Sequence, residues 1–184
     1  IWKHGLAVCL QGVGFSTIGA FLSQTFLHNN WPHAGWGLSC FGFGFVLLRI
    51  LAGHLPDRVG GLPVALASFV MEACGLYLLW LAPGPYYALA GAFLTGCGCS
   101  MIYPGIGREV ILMTPVALRG ASIGCFAGFQ DLAYCLAGPV AGFFAHRRGV
   151  QIAFLVAALL ATLGLAQNIG PSLSSIPLSS SRRF

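Results

Sequence analysis

Charge is what this chain has least of. Asp, Glu, Lys and Arg make up 7% of its 184 residues, and only four are acidic. A soluble domain carries about 25% charged residues. A chain this poor in charge cannot cover a water-facing surface, and the solvent it can face is lipid. Catalytic and metal-binding patterns are also missing. The five His stand at positions 4, 28, 33, 54 and 146, at the ends of apolar runs or between them, and share no face. No nucleophile elbow, phosphate loop or H-E-x-x-H pattern occurs, so neither an enzyme nor a metal site nor a cofactor is expected. The nine basic residues are scattered rather than clustered with aromatics, which argues against a nucleic-acid partner. No signal-peptide layout precedes the first apolar run, and Ile1-Trp2-Lys3-His4 leads straight into it. The expectation is that an N-terminal part is missing from this stretch.

What is present is apolar and small. Hydrophobic residues reach 57%, and 26 residues are Gly, roughly twice the usual share. The seven Cys lie inside apolar stretches, where they pack as small apolar groups. Cys97-Gly98-Cys99 is too short a spacing for a redox or zinc pair. A spanning helix needs about 20 mostly apolar residues, and six such runs follow one another, over 5–27, 35–55, 62–81, 86–107, 120–145 and 150–168. Polar or Pro/Gly-rich turns separate them, among them Pro56-Asp57-Arg58-Val59-Gly60-Gly61 and Ala82-Pro83-Gly84-Pro85. Gly170-Pro171 is expected to end the sixth. The reading is an all-α membrane protein with one six-helix bundle over residues 1–170 and a mobile, Ser-rich cytoplasmic tail over 171–184.

Lys and Arg in short loops set orientation. Lys3, Arg58, Arg108, Arg119, Arg182 and Arg183 fall on one side, Arg147 and Arg148 on the other. The first side is therefore expected to be cytoplasmic, with both ends on it. Small residues recur at spacings of three and four. The first span carries Gly5, Cys9, Gly12, Ser16, Gly19 and Ser23. The second carries Gly35, Ser39 and Gly42, leading to Val46, Arg49 and Gly53. The fifth carries Gly124, Gly128, Asp131, Cys135, Gly138 and Gly142. Each set shares a helix face, and such faces are expected to pack helix on helix.

Three charges stand inside the spans. A charge near the bilayer centre costs at least ~2.5 kcal/mol, so such residues pair, face the interior or line a wet path. Asp131, preceded by Gln130 and followed one turn later by Tyr134, reads as a proton-titrating or substrate-binding carboxylate, or as one held for packing specificity. Glu72, mid-way along the third span, is expected to pair with Arg49 of the second. Tyr103-Pro104-Gly105 in the fourth reads as a gate or as a static bend.

Residues Arg49 to Gly61 read R-x-x-x-G-x-L-x-D-R-x-G-G. This resembles the loop signature of the major facilitator superfamily, and it falls between the second and third spans, as in a six-helix half of that fold. Arg119-Gly120-Ala121-Ser122-Ile123-Gly124 and Gly138-Pro139-Val140-Ala141-Gly142 resemble the fourth-to-fifth loop and fifth helix of the C-terminal half. The wording of the helices is similar to the arabinose-efflux-permease-like branch of bacterial transporters. The resemblance implies the C-terminal half of a twelve-helix transporter in the bacterial inner membrane. Its partners would be the lipid bilayer, an absent N-terminal half, a small solute and protons. Its activity would be alternating-access, proton-coupled efflux. It implies coupling or binding roles for Asp131, Gln130, Tyr134, Glu72 and Arg49. It assigns a conformational gate to Gly53, Asp57, Arg58, Gly60, Arg119, Gly138 and Pro139, with the loop packed on the fifth helix of its half. Gly61 replaces the family's basic residue, and Pro56 departs from the pattern. The competing readings are a non-transporting scaffold or transporter remnant, and a six-helix half that works as a dimer.

Overall fold

A backbone surrounded by hydrocarbon must satisfy its polar groups internally, so long apolar runs become helices. The computed structural model describes residues 2–174, and no strand occurs among them. The elements are α1 (Trp2–His28), α2 (Ala34–Ala52), α3 (Leu55–Val59), α4 (Gly61–Leu81) and α5 (Pro85–Met113). After a 3₁₀ turn (Val116–Leu118) come α6 (Arg119–Arg148) and α7 (Gln151–Ser174).

Two of these depart from expectation. The break at 56–61 contains a short helix, α3, because Pro56 sits in its first turn, where a missing N–H is harmless. Gly60 then turns the chain at φ 107°, a conformation open to Gly but not to bulky residues, and α4 begins. α7 runs through Gly170-Pro171 to Ser174 rather than ending there, so the first four residues of the expected tail are helical. Residues 175–184 lie outside the described residues.

Among the described residues, five helices are long and apolar enough to cross a membrane. α6 falls short on apolarity, not length: it has 30 residues, about 45 Å at 1.5 Å per residue, but Gly, Pro, Gln130 and Asp131 dilute it.

α4 and α5 form the most intimate pair, and α2 packs on the far side of α5. α1 touches α2, α5, α6 and α7, and α7 closes against α4. Two apolar cores result. One gathers Ile18, Leu22, Phe26, Leu76, Leu79 and Phe154; the other gathers Val8, Phe69, Ile102, Ile106, Val110 and Phe126. Gln11, Gly12 and Gly14 of α1, and Glu72 of α4, fall along their helices between the two, so a polar layer separates the cores at mid-height.

Candidate functional site

The polar layer opens on one side into a cavity of about 210 Å³ between α1, α2, α5 and α6. Gln11 and Phe15 enter from α1, Phe45 and Arg49 from α2, Cys99 and Tyr103 from α5, Gln130 and Tyr134 from α6. Gln130 Nε2 donates to Tyr134 Oη at 2.7 Å, one turn along the same helix. Phe15 stands against the Tyr134 ring at 5.6 Å and the Phe45 ring at 6.1 Å. Arg49 Nη1 donates to the Ser100 carbonyl at 3.5 Å, and its guanidinium lies 5.8 Å from the Phe45 ring centre. Ser100 Oγ donates to the Phe45 carbonyl at 2.8 Å, which ties α2 to α5 beside the cavity.

Three of the predicted residues, Arg49, Gln130 and Tyr134, therefore line one space. Asp131 does not. It is exposed, on the face of α6 turned away from α1; α6 presents Phe126, Ala133, Ala137 and Ala141 as its buried side.

Glu72 is fully buried, and the expected Glu72–Arg49 pair does not form. The reason is topological: α5 lies between α4 and α2. Glu72 instead meets α1 at Gly14 and α5 at Gly98. Neither of its carboxyl oxygens has a hydrogen-bond partner, nor has Gln11 Oε1. The Cys99 thiol lies beside both side chains.

A second constellation sits at the end of the bundle where α3 lies. Asp57 Oδ1 is 3.4 Å from Arg108 Nε, and Arg108 Nη1 is 3.6 Å from Glu109 Oε1. Glu109 Oε1 also accepts the Gly61 N–H at 3.0 Å, satisfying a free donor at the start of α4. The loop thus packs on α4 and α5, the third and fourth spans, rather than on the fifth as the resemblance implied. Gly61, in place of a basic residue, presses against the Gly105 carbonyl, where any side chain would collide. Arg58 is exposed, and Gly53 is exposed at the end of α2. Arg119 Nε reaches the Thr114 carbonyl at 3.5 Å, a local brace on the 3₁₀ turn. Gly138 and Pro139 lie on the exposed side of α6, which continues unbroken through Pro139. Arg147 stacks over Phe143 at 4.4 Å, an anchor at the end of α6.

Sequence reasoning missed Gln11, Cys99, Arg108 and Glu109. Gln11 carried the same signal as Glu72, a polar residue within an apolar run. The Arg108-Glu109 pair was visible only as the end of a span.

The small-residue stripes also need correction. On α1, Gly5 meets Phe129 and Gly12 meets Ala133, so the first part of that face packs on α6, while Gly19 is exposed with nothing within 4 Å. On α2 and α6, Gly35, Gly42, Gly124, Gly128 and Gly138 have nothing within 4 Å. The faces that pack there are Gly37-Phe41-Gly44 on α2 and the Ala-rich side of α6.

A family model described as Major Facilitator Superfamily matches residues 5–174. The chain is similar to an uncharacterized MFS-type transporter of Salmonella typhimurium, 42% identical over 166 residues, which cover 90% of this chain and 43% of that protein. One of Burkholderia mallei is 40% identical, with 90% and 41% covered. The chain thus spans less than half the length of these relatives. Among solved structures, a mutant of the peptide transporter POT in complex with sulfate superposes at a TM-score of 0.82 over 96% of this chain and 38% of that chain, at 20% identity. The same transporter with alafosfalin gives 0.79 over 98% and 40%, at 19% identity. At such identity the likeness carries the fold alone. Helical order, the loop between α2 and α4, and the match over almost the whole length agree: this multi-pass membrane chain belongs to the Major Facilitator Superfamily.

Proposed function

We propose that this chain is one six-helix half of a secondary transporter that exports a small solute by alternating access, driven by protons. The observation that carries the reading is the polar cavity at mid-height, flanked by glycine faces of α2 and α6 that meet nothing among the described residues. Buried small-residue faces close helix on helix; uncovered ones beside a polar cavity suit a second bundle that closes over the solute. Arg49, Gln130 and Tyr134 would contact the solute, and Asp131, on the exposed face of α6 outside that cavity, would face the second bundle. Asp57, Arg58 and Arg119, with Gly53 and Gly60 at the turns and Gly138 and Pro139 on α6, would form the gate. The excess of Lys and Arg on one side supports a reading in which both ends of the chain face the cytoplasm, with a bacterial inner membrane as the setting of the bundle.

An antibody to residues 172–184 tests the first half of this proposal. A product about twice the mass of this chain in its native membrane supports a second bundle. A product of this chain's own mass counts against it and leaves the scaffold or the dimer. For the second half, Arg49→Gln is expected to abolish solute flux into proteoliposomes under an imposed pH gradient while insertion is retained. Unchanged flux would remove Arg49 from the solute path.

A further inference from the structure

The chain has four acidic residues, Asp57, Glu72, Glu109 and Asp131, and three of them fit their surroundings without difficulty. Asp57 and Asp131 are exposed, and Glu109 is half-buried with an arginine and a backbone N–H against it. Glu72 alone is sealed in the bundle, and both its carboxyl oxygens lack a donor. An ionised carboxylate in such a place needs a cation or several donors.

The elements packed around Glu72 supply neither. α7 contains no Asp, Glu, Lys, Arg or His. α1 carries Lys3, His4 and His28 only at its ends, and faces Glu72 with Gly14. α5 faces it with Gly98 and the Cys99 thiol; Arg108 and Glu109 lie nine and ten residues further on, ~13–15 Å along the helix. α3 holds Asp57 and Arg58 at the far end of α4, where Gly61 is eleven residues from Glu72, ~16 Å. The cavity beyond Cys99 is lined by Arg49 of α2, Tyr103 of α5 and Tyr134 of α6, of which Arg49 is held to the Ser100 carbonyl and Tyr134 to Gln130.

The space around Glu72 limits what could neutralise it. A methyl group added at Gly14 would collide with Glu72 Oε1, and one added at Gly98 would collide with the Glu72 backbone. A metal ion with its ring of oxygen ligands does not fit between helices this close. A proton does.

We propose that Glu72 is the proton-binding carboxyl of this bundle, reached from the central cavity through Gln11 and Cys99. Both of those side chains line the cavity, and the Cys99 thiol stands against Gln11 on one side and Glu72 on the other. The step is a simple one. A proton leaves water in the cavity and binds one carboxyl oxygen, turning the carboxylate into a neutral acid; no electrons move. The neutral acid lets α1 lie flat on α4 at Gly14. Loss of the proton leaves a bare charge at that contact and favours separation of α1 from α4, which admits water from the cavity. The role in transport rests on the proton-coupled reading above; the proton site itself does not.

Infrared spectroscopy of the protein in lipid nanodiscs tests the site. The expected result is a carbonyl band of a neutral carboxylic acid that shifts when glutamate is labelled with ¹³C. It should vanish in Glu72→Gln, persist in Asp131→Asn and Glu109→Gln, and lose its ¹³C shift in Glu72→Asp, which keeps the acid one methylene shorter. Absence of a labelled neutral-acid band in the wild type, or its survival in Glu72→Gln, overturns the proposal. If Glu72→Gln fails to fold, Glu72→Asp and the labelled wild type still decide. A band assigned to Glu72 with no flux response to a pH gradient would keep the site and remove the coupled-transport reading. A pH-driven flux with no such band would do the reverse.

Discussion

Glycine does opposite work in two parts of this bundle. Along the α4–α5 crossing, Gly75 and Gly91 bring each other's backbones together, with added methyls meeting carbonyl oxygens at 2.8 and 2.9 Å. Gly98 sits on the Glu72 backbone, and Gly105 lies 2.8 Å from the Gly61 carbonyl by the same measure. Real Cβ contacts do not come so close, so these positions admit no side chain without movement of a whole helix. Along α6, Gly120, Gly124, Gly128 and Gly138 face open space. One set creates a contact inside the chain. The other leaves a smooth, narrow strip that a neighbouring helix could approach. Spacing is the same in both, so only the partner tells them apart.

The comparison breaks most visibly by filling the glycines. Gly98→Leu drives a side chain into the α4 backbone and is expected to destabilise the bundle by about 3 kcal/mol or more. Gly124→Leu is expected to change the stability of this chain by less than ~0.5 kcal/mol. Reversible unfolding in mixed micelles reads both, and equal losses would erase the distinction. An intermediate effect falls where α3 joins α4. Glu109→Ala removes the charged acceptor of the Gly61 N–H at the tight end of the same crossing and should cost about 1–2 kcal/mol. Asp57→Asn should cost no more than ~0.5 kcal/mol, because Asp57 is 82% exposed and its ion pair with Arg108 is largely screened. A comparably small effect belongs to the cavity side of α6. Tyr134→Phe deletes the Gln130 hydrogen bond at a partly exposed site and should shift stability by about 0.5 kcal/mol; a larger loss would mean that α6 is held by more than its Ala-rich face.

Much of this architecture was legible before any coordinates. Long apolar runs separated by Pro, Gly and polar residues mark helices in lipid, because a continuous apolar run of that length satisfies its backbone within the segment only as a helix, whereas barrel strands are shorter and alternate. Asp57-Arg58-Val59-Gly60-Gly61 marked the loop, and Gly60 adopts the backbone that only Gly tolerates freely. The cavity was half-legible: Arg49, Gln130 and Tyr134 stood out as polar or charged residues in spans, whereas Gln11 did not. Neighbours were not legible. Glu72 and Arg49 were opposite charges on successive long helices, and pairing them was sound electrostatics applied to the wrong neighbours, since α5 comes between. The stripe on α6 failed for a related reason. Periodicity reports which residues share a face, not whether this chain supplies anything to cover it. α3 escaped notice because a five-residue helix holding Pro56 has no periodicity of its own.

The central place of α1 has a consequence for biosynthesis. α4 and α5 follow each other in the chain and can close their glycine contact as a hairpin as soon as both are made. α1 has its main partners in α6 and α7, which emerge more than 90 residues after it ends. At 5–20 residues per second, that delay is on the order of ten seconds. Until then Gln11 has no α6 beside it, and the earliest-made helix of this bundle is among the last to find its place within it.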